Sequence, residues 1–483
     1  MSDQHNRGVM GCTGDAIVQT PNIDSLAQRG MRFSNAYCSF PLCVPSRMSF
    51  LTAREAGRIN CLDNMSVLGS GIPTFAHAFL AEGYDTILSG RMDFRGGDQR
   101  HGFESRLIGD LTIAHSLDVE ELRPSLGDLL DTCGCSRSGL IESGWGHTGF
   151  HDYDRAVTRT TVEWLETRAR EDAATKPFLL TVGFISPHCP FIAPREDYEL
   201  YRDLIGDSDL PDADIDMLPP LLRQQRAEAG LDSPCPVPRE AQRRARTAYY
   251  GLCTFVDRML GKIIDALERT GLSENTIVVY TSDHGEQLGE HGMWWKSTFY
   301  EGSVGVPLII SGPTSLGSSR VFDANVSLMD LGPTLLDLVG APPLPNIDGR
   351  SFKCLIDGNS SDWTDKVVAE STGLSGLPPI MRMIKRGTWK LIYYHGHEPQ
   401  LFDLSTDPDE LHDRANDPEC SKIKGELLNR VLEGWDPDEI ERQLLTRPRE
   451  IELIGEEWKK TCLPEPDPVW YKAHSVENWY KTE

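Results

Sequence analysis

The sequence contains no apolar run approaching the ~20 residues that a membrane-spanning helix requires. Its opening residues combine neither a basic start nor an apolar core, so a secretory leader is not expected and the chain reads as cytoplasmic. Basic residues are scarce: 48 Lys plus Arg stand against 73 Asp plus Glu in 483 residues, a formal charge of −25. Nucleic acid is therefore not an expected partner, since its phosphates need Lys and Arg clusters. A small anion is not excluded, because it responds to local charge alone. Cysteine is also thin, at 12 residues, which rules out a disulfide scaffold and suggests mostly free thiols. No internal repeat or low-complexity tract interrupts the chain. What remains is an ordinary globular balance, 39 % hydrophobic and 25 % charged, with enough length for two or three domains.

Short apolar runs at Tyr84–Ser89, Pro177–Ser186, Thr276–Ser282 and Val306–Ser311 read as buried strands. Helical spacing covers Pro21–Arg29, Asp152–Asp172 and Ala248–Thr270, the first opening on Thr-Pro and closing before Gly30. Strands alternating with helices predict an α/β fold with a mostly parallel sheet sandwiched by helices. Ligands of such sheets sit beyond the carboxyl ends of the strands, which directs attention to the polar residues that follow each run. After Gly349 the runs become short and turn-separated, at Lys366–Glu370, Met381–Lys385, Trp389–Tyr394 and Gln400–Leu404. We read three regions: a catalytic α/β domain over 1–350, an antiparallel-sheet subdomain with a helix over 351–433, and an aromatic-rich tail over 434–483. That tail holds Trp435, Trp458, Trp470 and Trp479, four of the ten Trp. Packing on the body and packing on a neighbouring subunit both stay open, and a homo-oligomer is expected.

Three constellations carry chemistry. The first is Cys43-Val44-Pro45-Ser46-Arg47, continued by Leu51-Thr52-Ala53-Arg54. Alone it is compatible with a structural thiol at a helix start. The second is Ser282-Asp283-His284-Gly285-Glu286 with Leu288-Gly289-Glu290-His291-Gly292-Met293-Trp294-Trp295-Lys296, directly after a strand. The third is Ser186-Pro187-His188-Cys189-Pro190, where a turn histidine beside prolines is the plain alternative. Asp3-Gln4 adds a carboxylate and an amide near the start.

Taken together these strings resemble the sulfatase family of the alkaline phosphatase superfamily. Its signature is Cys-x-Pro-Ser-Arg followed by Leu-Thr-Gly-Arg, matched here except at Ala53. The likeness continues through Thr20–Ala27, Met329–Leu336, Asp348–Ser351 and Leu401–Leu411, so it runs from Asp3 to about residue 415. The block Gly97–Glu104 and the tail starting at Trp435 are most similar to the choline-sulfatase and phosphonate monoester hydrolase branch.

The resemblance implies a sulfuric ester hydrolase in which Cys43 is oxidised to formylglycine by a formylglycine-generating enzyme. The aldehyde hydrates to a diol; one hydroxyl attacks sulfur with the help of a cation, and the other drives release of sulfate. By the same resemblance Asp3, Gln4, Asp283, His284 and residue 43 hold a divalent cation. Oxygen-rich ligands suit Ca²⁺, Mg²⁺ or Mn²⁺, with Gln and His favouring Mn²⁺ more than usual, and the resemblance ranks Ca²⁺ first. Arg47 orders the diol and metal ligands, Lys296 grips sulfate, and His188 protonates the leaving alcohol. His291 is a further candidate for substrate contact. The alcohol itself is left open: choline, aryl or saccharide sulfates all fit. A phosphonate or phosphate diester hydrolase of the same superfamily, or a non-catalytic relative, is the competing reading.

Three departures from the family pattern stand out. The chain opens at the metal pair without the family's apolar first strand, which predicts a gap in the sheet. Gly90-Arg91-Met92-Asp93 stands where Gly-Lys-x-His is common. Residues two apart on an extended segment share a side, so Arg91 and Asp93 are taken as substrate-facing and able to pair. Asp93 then holds the guanidinium and favours a cationic alcohol, with a shifted loop that turns Asp93 to solvent as the alternative. Gly305 replaces an Arg that usually precedes Val-Pro, a change expected to affect the surface.

Overall fold

The computed structural model describes residues 1–110, 135–171, 176–207, 215–313, 316, 319–373 and 380–458. The strands among the described residues are β1 Met31–Tyr37, β2 Asp85–Gly90, β3 Ser105–Ile108, β4 Gly144–Trp145, β5 Phe178–Gly183, β6 Ile192–Ala193, β7 Val278–Thr281, β8 Leu308–Ser311, β9 Arg320–Ser327, β10 Lys366–Ser371, β11 Met381–Arg386, β12 Trp389–Tyr394 and β13 Gln400–Asp403. Two sheet segments form the body, ordered β3-β2-β5 and β7-β8-β1-β9. Pairing is parallel in β2–β3, β2–β5 and β1–β9, while β8 runs antiparallel to both β7 and β1. Met1–Asp3 joins the segments: Ser2 bridges Ser282 and Asp3 bridges Pro187, both in parallel.

Behind Met1 the edges of β5 and β7 face each other across a cavity of about 720 Å³. It is lined by Leu180 and Val182 of β5, Val278 and Tyr280 of β7, and Phe79 and Leu267 from the covering helices. The carboxyl ends of both strands are nevertheless tied together, because Phe184 N–H donates to the Met1 carbonyl and Ser2 N–H to the Thr281 carbonyl, each at 2.9 Å.

Helices cover both faces of this sheet, as the alternating sequence pattern requires. On one face α4 (Gly149–Arg168) and α5 (Arg239–Arg269) bury Tyr153, Val157, Phe255 and Met259 together. On the other, α2 (Cys43–Thr52), α3 (Phe75–Ala81) and α6 (Leu331–Leu338) pack Met48, Leu51, Phe75 and Leu336 beside β1. α1 (Pro21–Arg29) takes the Pro start and Gly30 stop read from the sequence. α5 begins nine residues before the apolar spacing at Ala248, since its first turns, Arg239–Thr247, are mostly charged.

The antiparallel sheet β10-β11-β12-β13 follows, in simple meander order. α7 (Ser421–Val431) covers it, with Leu427 and Val431 against Ile384, Leu391 and Leu401. The seam with the body is charged and buried: Lys390 Nζ lies 2.8 Å from Glu301 and 2.7 Å from Glu410, and Arg7 also pairs with Glu301. This seam explains Gly305, which lies inside it and not at the surface. A Cβ there would come within 2.9 Å of the Arg7 side chain, so a guanidinium from another part of the chain occupies the space.

α8 (Pro437–Trp458) lays Ile440 and Leu444 on Phe40, Leu42 and Leu62, with Trp435 buried among them. Trp435 thus packs on its own body, under the guanidinium of Arg382 at 5.2 Å. Trp470 and Trp479, and the side chain of Trp458, lie outside the described residues.

Candidate active site

Four peptide segments end at one point. β2 runs into Arg91, β5 into His188, Met1–Asp3 into Gln4, and β7 into Asp283 and His284, all beyond carboxyl ends of neighbouring parallel strands. Close approach of β2 and β5 is needed to bring Arg91 in. A Cβ on Gly183 would lie 1.8 Å from the Arg91 carbonyl oxygen, so no larger residue fits.

α2 points its first turn at the same place. Its N-terminal residue is Cys43, where unpaired backbone N–H groups and the helix dipole favour negative charge. Arg47 follows one turn later and is completely buried. Its Nε donates to Asp283 Oδ2 at 2.9 Å, one terminal nitrogen to Asp3 Oδ2 at 3.0 Å, and the other to the Arg91 carbonyl at 3.0 Å. Loss of both carboxylates would strand a buried guanidinium, at a cost of about 3–5 kcal/mol.

The Cys43 Sγ sits at the start of this helix. Lys296 Nζ lies 3.0 Å from it, His284 Nε2 3.4 Å and Asp3 Oδ1 3.9 Å. Burial and Asp3 both push this thiol up, yet Lys296, His284 and His188 outweigh them and hold it well below the ordinary thiol range. Lys296 also reaches His188 Nε2, at 2.8 Å. The other ring nitrogen of His188 donates to the Cys189 carbonyl at 2.5 Å, which leaves Nε2 as the face turned to the site. The segment carrying His188 is pinned by Asp154, whose two oxygens accept the Ile185 and Ser186 N–H groups at 2.9 Å each.

Donor atoms of Asp3, Cys43, Asp283 and His284 all lie within 4.8 Å of one another, and all four residues are buried. Three observations fit a cation here. His284 Nδ1 donates to the Gly285 carbonyl at 3.0 Å, which fixes the tautomer with a free Nε2 lone pair. Gln4 Oε1 is buried without a hydrogen-bond partner, while its Nε2 donates to Glu286 Oε2 at 2.5 Å. Asp3 stays ionised: burial would raise its carboxyl, but Arg91, His188, Arg47 and Lys296 hold it well below the usual range. An oxygen-rich set with one imidazole suits a hard divalent ion.

Arg91 Nε pairs with Asp3 Oδ2 at 2.7 Å, and its fork pairs with Asp93 Oδ2 at 2.9 Å. The other Asp93 oxygen takes Arg95 at 3.0 Å, and the carboxylate is almost fully buried. Asp93 therefore braces Arg91, and two guanidiniums close off its carboxylate. Asp3, Asp93 and Asp283 are matched by the guanidiniums of Arg47, Arg91 and Arg95, and the Lys296 ammonium stands beside Cys43.

His291 stands apart. Its ring stacks on Tyr300 with centroids 3.9 Å apart, and burial followed by Lys390 lowers it to about 4, so it is neutral and belongs to the seam. Glu286 and Asp154 were given no role from the sequence. Glu286 lies in the Asp-His-Gly-Glu string, two residues after His284, and that spacing was the available signal; Asp154 sits in a helix with no local mark.

The arrangement defines a hydrolase of anionic esters, with a nucleophile position at a helix start and a metal cradle of hard ligands beside it. A model of the sulfatase family matches residues 1–341, and a second, described as N-sulphoglucosamine sulphohydrolase, C-terminal, matches residues 289–435. The chain is 35 % identical to a choline-sulfatase of Rhizobium meliloti over 432 residues, covering 86 % of this chain and 82 % of that protein. It is 30 % identical to an arylsulfatase of Clostridium perfringens over 465 residues, covering 89 % and 92 %. Among solved structures it resembles the phosphonate monoester hydrolase of Agrobacterium radiobacter, with a TM-score of 0.70 and 25 % identity over 89 % of this chain and 94 % of that one. The chain belongs to the sulfatase family and is a sulfuric ester hydrolase with the alkaline-phosphatase-like fold.

Proposed function

We propose that this sulfatase cleaves a small sulfate monoester at residue 43, which acts as formylglycine, with Ca²⁺ held by Asp3, Gln4, Asp283 and His284. The observation that carries this reading is the surround of Cys43 Sγ: Lys296, His284 and Asp3 converge on a side chain at a helix N-terminus. The hydrated aldehyde supplies a hydroxyl for attack on sulfur and a second for release of sulfate, and the cation supplies positive charge that acidifies the first. Lys296 binds a sulfate oxygen and screens its charge during attack. His188 turns Nε2 toward the leaving alcohol; that nitrogen, which accepts from Lys296, must first take up a proton to act as the general acid. Arg47 and Arg91 keep Asp3 ionised and fixed.

A choline-like alcohol is the first substrate to try, on the strength of the Rhizobium meliloti relative. Maturation by a formylglycine-generating enzyme and assembly into a homo-oligomer through the tail after Gly434 complete the proposal. The test compares sulfate release from choline sulfate and an aryl sulfate with hydrolysis of a phenyl phosphonate monoester. Faster sulfate release supports the reading. A phosphonate rate above both sulfate rates would assign the chain to the other activity, represented by the Agrobacterium radiobacter neighbour.

A further inference from the structure

Glu286 is completely buried next to the metal cradle, and nothing in the chemistry above uses it. Every group that touches its side chain is a donor. Oε1 accepts the N–H of Leu288 at 2.9 Å and of Trp295 at 2.7 Å, and Oε2 accepts Gln4 Nε2 at 2.5 Å. Its own backbone is held too, since its carbonyl accepts Asn6 Nδ2 at 2.7 Å. With two backbone N–H groups on one oxygen, the carboxyl cannot turn.

A glutamine amide has two ends of nearly equal size and opposite polarity, and its neighbours decide which end faces which way. Only the oxygen end can bind a cation. At Gln4 the nitrogen end is committed to Glu286, and the oxygen end is the buried Oε1 with no protein partner. The backbone of Gln4 is fixed independently: its N–H donates to Asp283 Oδ1 at 3.1 Å. The side-chain flip is thus the one freedom left at this ligand.

We propose that Glu286 is a positioning residue that locks the Gln4 amide with its oxygen toward the cation. The inference rests on the cation reading of Asp3, Gln4, Asp283 and His284. Glu286 needs no contact with metal or substrate to act in this way. It supplies an acceptor that no amide can match, because a glutamine in its place must also turn a donor toward one of three donors.

The test measures binding of Ca²⁺ and Mn²⁺ alone to chelator-stripped full-length protein by titration calorimetry. Glu286→Gln should set two N–H₂ groups against each other, flip the Gln4 amide and weaken binding by about tenfold or more, as lost outer partners of metal ligands do. The double variant Gln4→Glu with Glu286→Gln restores a donor–acceptor pair and still presents an oxygen, so it should bind at least as tightly as wild type. A Glu286→Gln single variant that binds like wild type, or a double variant no better than the single, overturns the proposal. That second criterion also covers a single variant that fails to fold. If wild type binds neither cation, the metal reading falls and this inference with it; if wild type binds and the variants follow the overturning pattern, only the inference falls.

Discussion

Among the described residues, two places gather a histidine and carboxylates within 4.8 Å: Asp3, Asp283 and His284 beside Cys43, and His395 with Asp438 and Glu441. Residue types alone do not separate them. The first set is buried to the last atom, and each carboxylate is held by a guanidinium. In the second, Asp438 is exposed on the first turn of α8, and its contact with His395 is a surface pair on the rim of the small sheet. Surface pairs of this kind contribute about 0–1 kcal/mol. What makes the first a site is the enclosing charge, together with a buried amide oxygen left without a partner.

That contrast can be broken by experiment. The largest effect is expected at the nucleophile: Cys43→Ala should abolish sulfate release with little change in melting temperature, whereas His395→Ala should leave the rate at the wild-type level. A fall in both would mean that the second cluster also serves the reaction. Next come the ligands. Asp283→Asn should weaken Ca²⁺ binding and remove the rise in melting temperature that a bound ion gives, while Asp438→Asn should leave that rise intact. Calorimetry and thermal melts in added Ca²⁺ read both.

A smaller effect is expected at Asp93. Since its carboxylate is closed off by Arg91 and Arg95, Asp93→Asn should slow cationic and neutral sulfate esters by a similar factor, through a looser Arg91. A selective change for the cationic ester would place Asp93 in contact with the alcohol after all.

The smallest effect on activity concerns the seam, where buried charges serve only cohesion. Burial alone would raise the Glu301 carboxyl, but Arg7, Lys390 and Lys385 hold it well below its ordinary value of 4.5. A depressed folded-state pKa gives stability that is present above 4.5 and is lost as the pH falls. The difference in melting temperature between wild type and Glu301→Gln should therefore shrink below pH 4.5. A difference that stays constant through that range would remove the ion pairs as its cause.

The sequence carried most of the centre because its chemistry is local. Cys43 and Arg47 are one turn apart on one helix, and Asp283 and His284 are adjacent after one strand. Apolar spacing placed α1 and the ladders of the small sheet for the same reason. β1 and β9 escaped because Met31–Tyr37 and Arg320–Ser327 carry Arg, Ser and Asn along half-exposed faces, so no apolar run marks them. Relations across long separations were the harder part. Arg7 filling the space at Gly305 and Glu286 holding Gln4 each depend on segments that only the fold brings together. His291 sits in the motif's own string, and the left-handed backbone at that residue belongs to the turn that lays its ring on Tyr300.

The central claim is that residue 43 does the chemistry as an aldehyde. Chains prepared with different degrees of Cys43 oxidation, by varying co-expression of a formylglycine-generating enzyme, would have their aldehyde fraction read from the mass of the peptide containing residue 43. Plotted against that fraction, the rate of sulfate release should be a straight line through the origin. A rate that is independent of the aldehyde fraction, or that persists in chains carrying only the thiol, would contradict the account.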